Sequence, residues 1–459
     1  MFLDRIRHFH LVGIGGIGMS GIAHLLLDMG YRVSGSDLSE NKSVLELRRR
    51  GARVFIGHRK ENLPPSADVV VYSSAVNPAT NPETREARRR GIPVIPRGEM
   101  LAELMRLKEG IAVSGSHGKT TTTSMLAHVF YRAGLDPTVI IGGKLHLFEG
   151  KNARLGKGEV LIAEADESDG SFLKLSPVVS VITNVDREHL DYYKSFEEIK
   201  RAFLEFANKV PFYGFTVVNI DDPTVRELFP LFTRKVVTFG LEYPSDYGAR
   251  DVRKTERGYS FLLTYKGDPV GRLELTVMGL HNVYNALAAA AVSLEAELPF
   301  ETVAEALREF KNAERRLQKL GEGRRVLFFE DYAHHPREIE AVLSTLREFF
   351  PDREVVFVFQ PHRYTRTFYL WREFVEVLKP YRGIVTEIYP ASEEPIPNVS
   401  GRRLAAESGS LYAETPDEVA ELLERLLAEG DGKLVVFLGA GSIGRWAGEV
   451  VSRLLELGF

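Results

Sequence analysis

The chain has 459 residues, 44% of them hydrophobic and 27% charged, with a formal net charge of −4. That length and balance fit a soluble globular chain of several domains, and they exclude a basic nucleic-acid face or a polybasic membrane-binding segment. The absence of cysteine excludes disulfides, thiolate nucleophiles and thiolate metal sites; any metal would have to be held by oxygen and imidazole, which suits Mg²⁺ or Mn²⁺.

The amino-terminal stretch MFLDRIRHFHLVGIGG has an early acidic residue and runs straight into a strand, and no later apolar run approaches about 18 residues. This predicts a cytoplasmic protein. Apolar strands then alternate with charged helical segments: FHLVGIGG, GMSGIAHLLLDMG, YRVSGSD, SVLELRRRG, ARVFIG, ADVVVYSS and PETREARRRG. Most of these helices end at a glycine, and the alternation predicts a parallel, doubly wound sheet of the Rossmann type over 1–106. Its first loop, Gly13-Ile14-Gly15-Gly16-Ile17-Gly18, has GxGxxG spacing, and Asp37 closes the next strand. Such a loop places a phosphate or carboxylate at a helix N-terminus, so a dinucleotide, a nucleotide sugar and a purely structural turn all remain open.

A new strand, GIAVSG, leads into Gly115-Ser116-His117-Gly118-Lys119-Thr120 and a helix, which is the context a phosphate loop requires. Val113 stands where the longer form of the motif has glycine, so this is a shortened GxxGKT loop. It predicts a nucleoside triphosphate site, with Lys119 on phosphate and the Thr120 hydroxyl toward Mg²⁺. Next, the strand VLIA runs into EADESD, placing Glu164, Asp166, Glu167 and Asp169 at a strand end; one strand later come Asn184, Asp186, Glu188 and His189. Carboxylates gathered there predict a divalent cation, with His189 as a second-cation ligand. After a polar β-rich stretch over 243–277, Asn282 and Asn285 open a helix three residues apart, suited to a nucleotide contact or a cap. These elements make a central P-loop ATPase-type domain over 107–313.

The α/β alternation restarts in a third, Rossmann-like domain over 314–459. Asp331, His334 and His335 end one strand, and Arg363 and Arg366 follow another, where two guanidiniums can hold a carboxylate. A last glycine loop, Gly439-Ala440-Gly441-Ser442-Ile443-Gly444, reads as close strand–helix packing, with an anion contact as the alternative.

In this order, GSHGKTTTTSM, EADESD, TNVDREHLD, HNVYNA, ERR, DYAHHP and FQPHRYTRT resemble the ATP-dependent Mur ligases of peptidoglycan synthesis, over essentially the whole chain. DYAHHP, FQPHRYTRT and the amino-terminal GIGGIGMSG resemble the members that act on UDP-N-acetylmuramate and L-alanine; the murein tripeptide recycling ligase is a close relative. The resemblance implies an α/β, three-domain enzyme that uses ATP and Mg²⁺, with UDP-N-acetylmuramate and L-alanine as partners, as a monomer or weak homodimer. It implies catalytic roles for Lys119, Glu164, His189 and His334. ATP contacts would come from Gly115, Ser116, His117, Gly118, Lys119, Thr120, Thr121, Asn282, Asn285, Arg316 and Asp331. Gly15, Gly16, Ile17, Gly18, Asp37, His58 and Ser73 would hold the UDP-sugar, and Tyr332, His334, Arg363 and Arg366 the amino acid. Thr120, Glu164 and His189 would be the metal ligands. Two other classes compete: an NAD-dependent oxidoreductase using the first loop, and a P-loop switch that hydrolyses ATP without ligation.

Overall fold

The computed structural model describes residues 5–145, 151–391, 393–430 and 432–459. They form three sheets. In the first, the parallel strands run in the order Arg53–Ile56, Arg32–Asp37, His8–Val12, Val69–Tyr72, Val94–Pro96. This order reverses direction between its first and fourth strands, which opens a crevice at the carboxyl ends beside Gly13–Gly18. Gly13 is left-handed (φ 79°), and a Cβ there would lie 2.8 Å from the Cβ of Ser73, so the tight turn demands glycine.

The second sheet has ten strands, and its inner part is parallel: Val236–Gly240, Phe215–Asn219, Val179–Ile182, Glu109–Ser114, Val160–Glu164, Thr138–Leu145. Glu109–Ser114 is central and fully apolar within, and three chemistry-bearing loops leave the carboxyl ends of it and its two neighbours. Phe172, Phe203 and Phe206 pack beneath, with ring centroids 5.4 and 5.0 Å from Phe172. Burying one such ring contributes about 2–3 kcal/mol.

The third sheet pairs Gln318–Glu322 antiparallel with Val326–Asp331, then continues in parallel through Lys433–Leu438, Glu354–Phe359, Arg382–Thr386 and Leu411–Ala413. The last glycine loop sits here. A Cβ on Gly441 would lie 2.5 Å from Gln360 Oε1, and one on Gly444 would lie 2.6 Å from Glu330 Oε1, so the spacing serves close packing.

By compactness the chain divides into two units. One comprises Met1–Arg253, Ser260–Thr276 and Asn282–Ala313; the other comprises Lys254–Tyr259, Val277–His281 and Glu314–Phe459. The first two sheets share one apolar core, in which helix Ile17–Asp28 packs so closely that a Cβ on Gly21 would lie 3.4 Å from the Cβ of Ala153.

A polar seam crosses the face of the first sheet. It links His8 and His10 on one strand with Ser34 on its neighbour, and His10 and Ser36 meet Glu83 from helix Pro82–Arg89; Glu83 and His10 have fully buried side chains. The Glu83 carboxylate accepts from His10 Nε2 (2.7 Å), Ser36 Oγ (2.8 Å), Asn62 Nδ2 (2.9 Å) and the Arg59 amide (3.1 Å). Burial pushes its pKa up, but the bonds from His10, His58 and Asn62 outweigh that and hold it well below the usual carboxylate value. A depressed folded-state pKa gives stability that is present above the unfolded carboxylate value and lost as pH falls beneath it. Glu83→Gln should therefore cost roughly 3 kcal/mol at pH 7. Urea denaturation of both forms should show that gap narrowing between about pH 5 and pH 3; a gap that does not change with pH would contradict an ionised Glu83.

Candidate active site

The phosphate loop turns between strand Glu109–Ser114 and helix Lys119–Arg132 through two left-handed glycines, Gly115 (φ 136°) and Gly118 (φ 82°). Neither tolerates a side chain: a Cβ would fall 2.0 Å from Thr183 Oγ1 at Gly115 and 2.5 Å from Asn285 Oδ1 at Gly118. The loop is braced by its neighbouring strand end. The His117 amide donates to Asn184 Oδ1 (2.8 Å), and the Asp186 amide donates to Ser116 Oγ (2.8 Å). Asn285 accepts from Thr122 Oγ1 (3.1 Å) and donates to Asn282 Oδ1 (3.0 Å), so the two asparagines form one unit against the loop helix. Thr121 is buried in the first turn of that helix.

Lys119 reaches back to the Gly115 carbonyl (2.5 Å) and across to Glu167 Oε1 (2.8 Å). Burial would lower its pKa, but the carboxylates of Glu167, Asp166 and Glu164 outweigh burial and hold the ammonium charged. Burial pushes Glu167 up to about 7 against the pull of Lys119. Asp166 is held down at about 2, because Arg97 and Lys119 overcome its burial.

The acidic residues divide into two groups. Glu164 Oε2 accepts from Thr120 Oγ1 (3.0 Å) and from the Gly142 amide (2.8 Å). Glu167, Glu188 and His189 instead bring one ligand atom each to within 4.8 Å of one another. His189 itself stands in the left-handed region (φ 56°) as the N-cap of a short helix. Glu167 is 2% exposed, and its Oε2 has no hydrogen-bond partner among the described residues. Two carboxylates and an imidazole with a buried, uncompensated oxygen fit a hard divalent cation.

At the first loop, Gly15 donates its amide to Asp37 Oδ2 (2.8 Å), and Asn41 Nδ2 donates to the Gly15 carbonyl (3.2 Å). Gly16 caps helix Ile17–Asp28, and a Cβ on Gly18 would lie 2.8 Å from Arg97 Nη1, so Arg97 lies over the start of that helix. Its Nη2 also reaches Asp166 Oδ2 at 3.4 Å, linking this loop to the acidic strand end. His58 follows the strand Arg53–Ile56 and bonds Ser36 Oγ through Nδ1 (2.8 Å). Ser73 follows Val69–Tyr72 and accepts from the Ala75 amide (3.3 Å).

The second unit has its own cluster. Asp331 Oδ2 accepts from the Leu317 amide (2.7 Å) and Oδ1 from the Ala333 amide (2.8 Å); burial raises its pKa to about 6 against Arg316. Arg315 and Arg316 lie over the Tyr332 ring at 5.0 and 5.5 Å. His334 Nδ1 is 3.0 Å from the Tyr332 carbonyl, which only accepts, so a neutral ring carries its proton on Nδ1 and its lone pair on Nε2. Arg363 has a left-handed backbone (φ 72°), held by its amide on the Tyr389 carbonyl (2.8 Å), and Arg366 Nη1 donates to the His362 carbonyl (3.2 Å). His362 stacks on Tyr389 (5.4 Å, 11°), and burial, His334, Arg366 and Arg363 together push it down to about 2.

Three family profiles match along the chain: "Mur ligase family, catalytic domain" at 8–109, "Mur ligase middle domain" at 113–293, and "Mur ligase, glutamate ligase domain" at 315–441. The chain belongs to the Mur ligase family. This Mur ligase is 56% identical over 455 residues to the UDP-N-acetylmuramate–L-alanine ligase of Aquifex aeolicus (strain VF5), covering 99% of each chain. A solved structure of UDP-N-acetylmuramate-alanine ligase MurC from Thermotoga maritima matches with TM-score 0.83 at 30% identity, over 98% of this chain and 100% of that one. A murein peptide ligase from Psychrobacter arcticus 273-4 shares the fold (TM-score 0.73, 21% identity, 98% of each chain).

In this Mur ligase the structure also sorts the acids gathered at the strand ends into two groups, and it brings in Arg97 and His362, which the sequence patterns do not single out. Glu167 and Glu188 join His189, whereas Glu164 stands apart with Thr120. Arg97 bridges to Asp166, and His362 lies among Tyr389, His334 and Arg366. A buried carboxylate within EADESD has no local signature, and a histidine flanked by two arginines reads as a bystander.

Proposed function

We propose that this Mur ligase joins L-alanine to the lactyl carboxylate of UDP-N-acetylmuramate with ATP, giving ADP and phosphate, in peptidoglycan precursor synthesis. The observation that carries the reading is a charged Lys119 at a glycine loop, facing a buried carboxylate cluster, in a chain so similar to alanine-adding relatives. We divide it into a UDP-sugar domain at 1–106, an ATP domain at 107–313 and an amino-acid domain at 314–459, acting in the cytoplasm as a monomer or weak homodimer.

The chemistry follows from the side chains. A carboxylate oxygen of the sugar attacks the γ-phosphorus of ATP, the bond to ADP breaks, and an acyl phosphate forms. Lys119, fixed and charged before the reaction, offsets charge growing on the transferred oxygens. Gly115 to Thr121, with Asn282 and Asn285, cradle the nucleotide, and Arg316 and Asp331 approach it. Thr120, Glu164, Glu167, Glu188 and His189 are the residues that would hold Mg²⁺; when bound it neutralises phosphate charge. Gly15 to Gly18, Asp37, His58 and Ser73 hold the UDP-sugar.

The L-alanine nitrogen then attacks the acyl carbon, phosphate leaves, and the amine proton passes to Nε2 of His334. Arg363 and Arg366 hold the amino-acid carboxylate beside Tyr332. Alanine in place of both arginines should raise KM for L-alanine by at least about a hundredfold while leaving KM for ATP near that of the unmodified enzyme. Steady-state kinetics with varied L-alanine reads this directly, and an unchanged KM would remove the arginines from the amino-acid site.

The deciding experiment is phosphate release from ATP with Mg²⁺ and UDP-N-acetylmuramate, in the presence and absence of L-alanine. Release that requires both supports the reading. Release that requires the preformed tripeptide L-Ala-γ-D-Glu-diaminopimelate in place of L-alanine, or release indifferent to any acceptor, overturns it.

A further inference from the structure

The polar seam beneath the first sheet ends at a residue of the sugar-nucleotide site, and hydrogen-bond bookkeeping along it fixes proton positions. Glu83 only accepts, so His10 Nε2 carries the proton shared at 2.7 Å. On its other side His10 Nδ1 lies 2.8 Å from Ser34 Oγ, which in turn lies 2.8 Å from His8 Nε2. Burial lowers the pKa of His8, whose Nδ1 meets Ser66 Oγ at 2.8 Å.

The other branch decides the site. Ser36 has one hydroxyl proton, and it goes to Glu83 Oε2 (2.8 Å). Ser36 Oγ can then only accept from His58, at 2.8 Å from Nδ1, so His58 must carry a proton on Nδ1. Glu83 Oε1, 3.5 Å from the same nitrogen, favours the same tautomer. His58 Nε2 has no hydrogen-bond partner among the described residues. The residue lies at the carboxyl edge of the sheet, where the neighbouring Gly57 amide donates to the Asp37 carbonyl (2.8 Å) and Asp37 itself holds Gly15. In such a sheet this edge is where the ligand lies.

We infer that Glu83, acting through Ser36, is a positioning residue for the sugar nucleotide: it fixes His58 as the Nδ1–H tautomer, so that Nε2 accepts a hydrogen bond from a donor group of the nucleoside. The inference rests on the UDP-sugar reading of the first domain. Ionised Glu83 thus does more than satisfy a buried network. It selects which face of an imidazole the ligand meets.

The test uses the full chain labelled with ¹⁵N-histidine at pH 8, with His58 assigned by loss of its signals in His58→Ala. Long-range ¹H–¹⁵N spectra should show the Nδ1–H tautomer in the unmodified chain and a mixture in Glu83→Gln. Glu83→Gln and Ser36→Ala should each raise KM for UDP-N-acetylmuramate about tenfold, within the range for groups that orient an imidazole, with kcat and KM for ATP unchanged. In the His58→Ala background, Glu83→Gln should add nothing. Ser36→Ala leaves Glu83 paired with His10 and Asn62, so it decides the matter even if Glu83→Gln does not fold. Among competitors, N3-methyl-UDP or 2′-deoxy-UDP should bind more weakly than UDP, identifying the donor as imide or ribose hydroxyl. An Nε2–H or doubly protonated His58, multiplicative effects of the two substitutions, or equal competition by UDP and both analogues would each overturn the inference. If the unmodified chain binds no UDP-N-acetylmuramate in calorimetric titration, the functional reading itself fails, while the tautomer spectrum still judges the internal network.

Discussion

Replacing Lys119 with methionine is expected to lower phosphate release about a thousandfold, the order of loss seen when a preorganised charge donor is removed from a reacting phosphoryl or acyl group. The side chain is already fixed, 2.5 Å from the Gly115 carbonyl and 2.8 Å from Glu167, and the carboxylates around it keep it charged throughout the working pH range. It needs no reorganisation when charge builds on the transferred oxygens. The loss should therefore fall mainly on kcat, with KM for L-alanine little changed. Methionine keeps most of the apolar stem, so circular dichroism and thermal melting should report a folded chain. Phosphate release within tenfold of the unmodified enzyme would show that Lys119 does not face the transferred group.

Glu167→Gln should be the next most damaging single change. Oε1 anchors Lys119, while Oε2 is buried with no hydrogen-bond partner among the described residues, and the side chain shares a 4.8 Å cluster with Glu188 and His189. A glutamine is isosteric but neutral, and it offers a cation one oxygen in place of a carboxylate. Titrating activity with Mg²⁺ should show the midpoint moving upward by at least about tenfold, and maximal phosphate release falling roughly a hundredfold. Glu164→Gln, which removes the acceptor for Thr120 and Gly142, provides the comparison. If the Mg²⁺ midpoint moves only in Glu164→Gln, the cation belongs with Thr120 and not with His189.

The glycine-lysine-threonine loop was legible because its chemistry is local: strand, two left-handed glycines, lysine and helix occupy consecutive residues. Strand ends were legible for the same reason, since an apolar run that stops at acids marks the ligand edge of a parallel sheet. Burial was not. EADESD contains four acids, and only the turn of the chain makes Glu167 the one that is 2% exposed. Glu83 sits in PETREARRRG, which reads as a solvated helix. Its partner His10 is 73 residues away, brought to it by a sheet whose register aligns His10 with Ser34. Likewise, Asp37 closes its strand as the fingerprint requires, yet one of its oxygens accepts from the amide of Gly15.

The interleaving of the two compact units bears on how this gene could be cut or recombined. The chain passes from one unit to the other at 253/254, 259/260, 276/277, 281/282 and 313/314. A carboxyl-terminal fragment beginning at Glu314 would leave behind Lys254–Tyr259 and Val277–His281, including Met278, which packs against the core of the third sheet. Modular exchange at the apparent junction would thus transplant a core with a missing piece. Inheritance of the two halves is tied together by short excursions of the backbone, and a swap that kept them would have to begin upstream of residue 254.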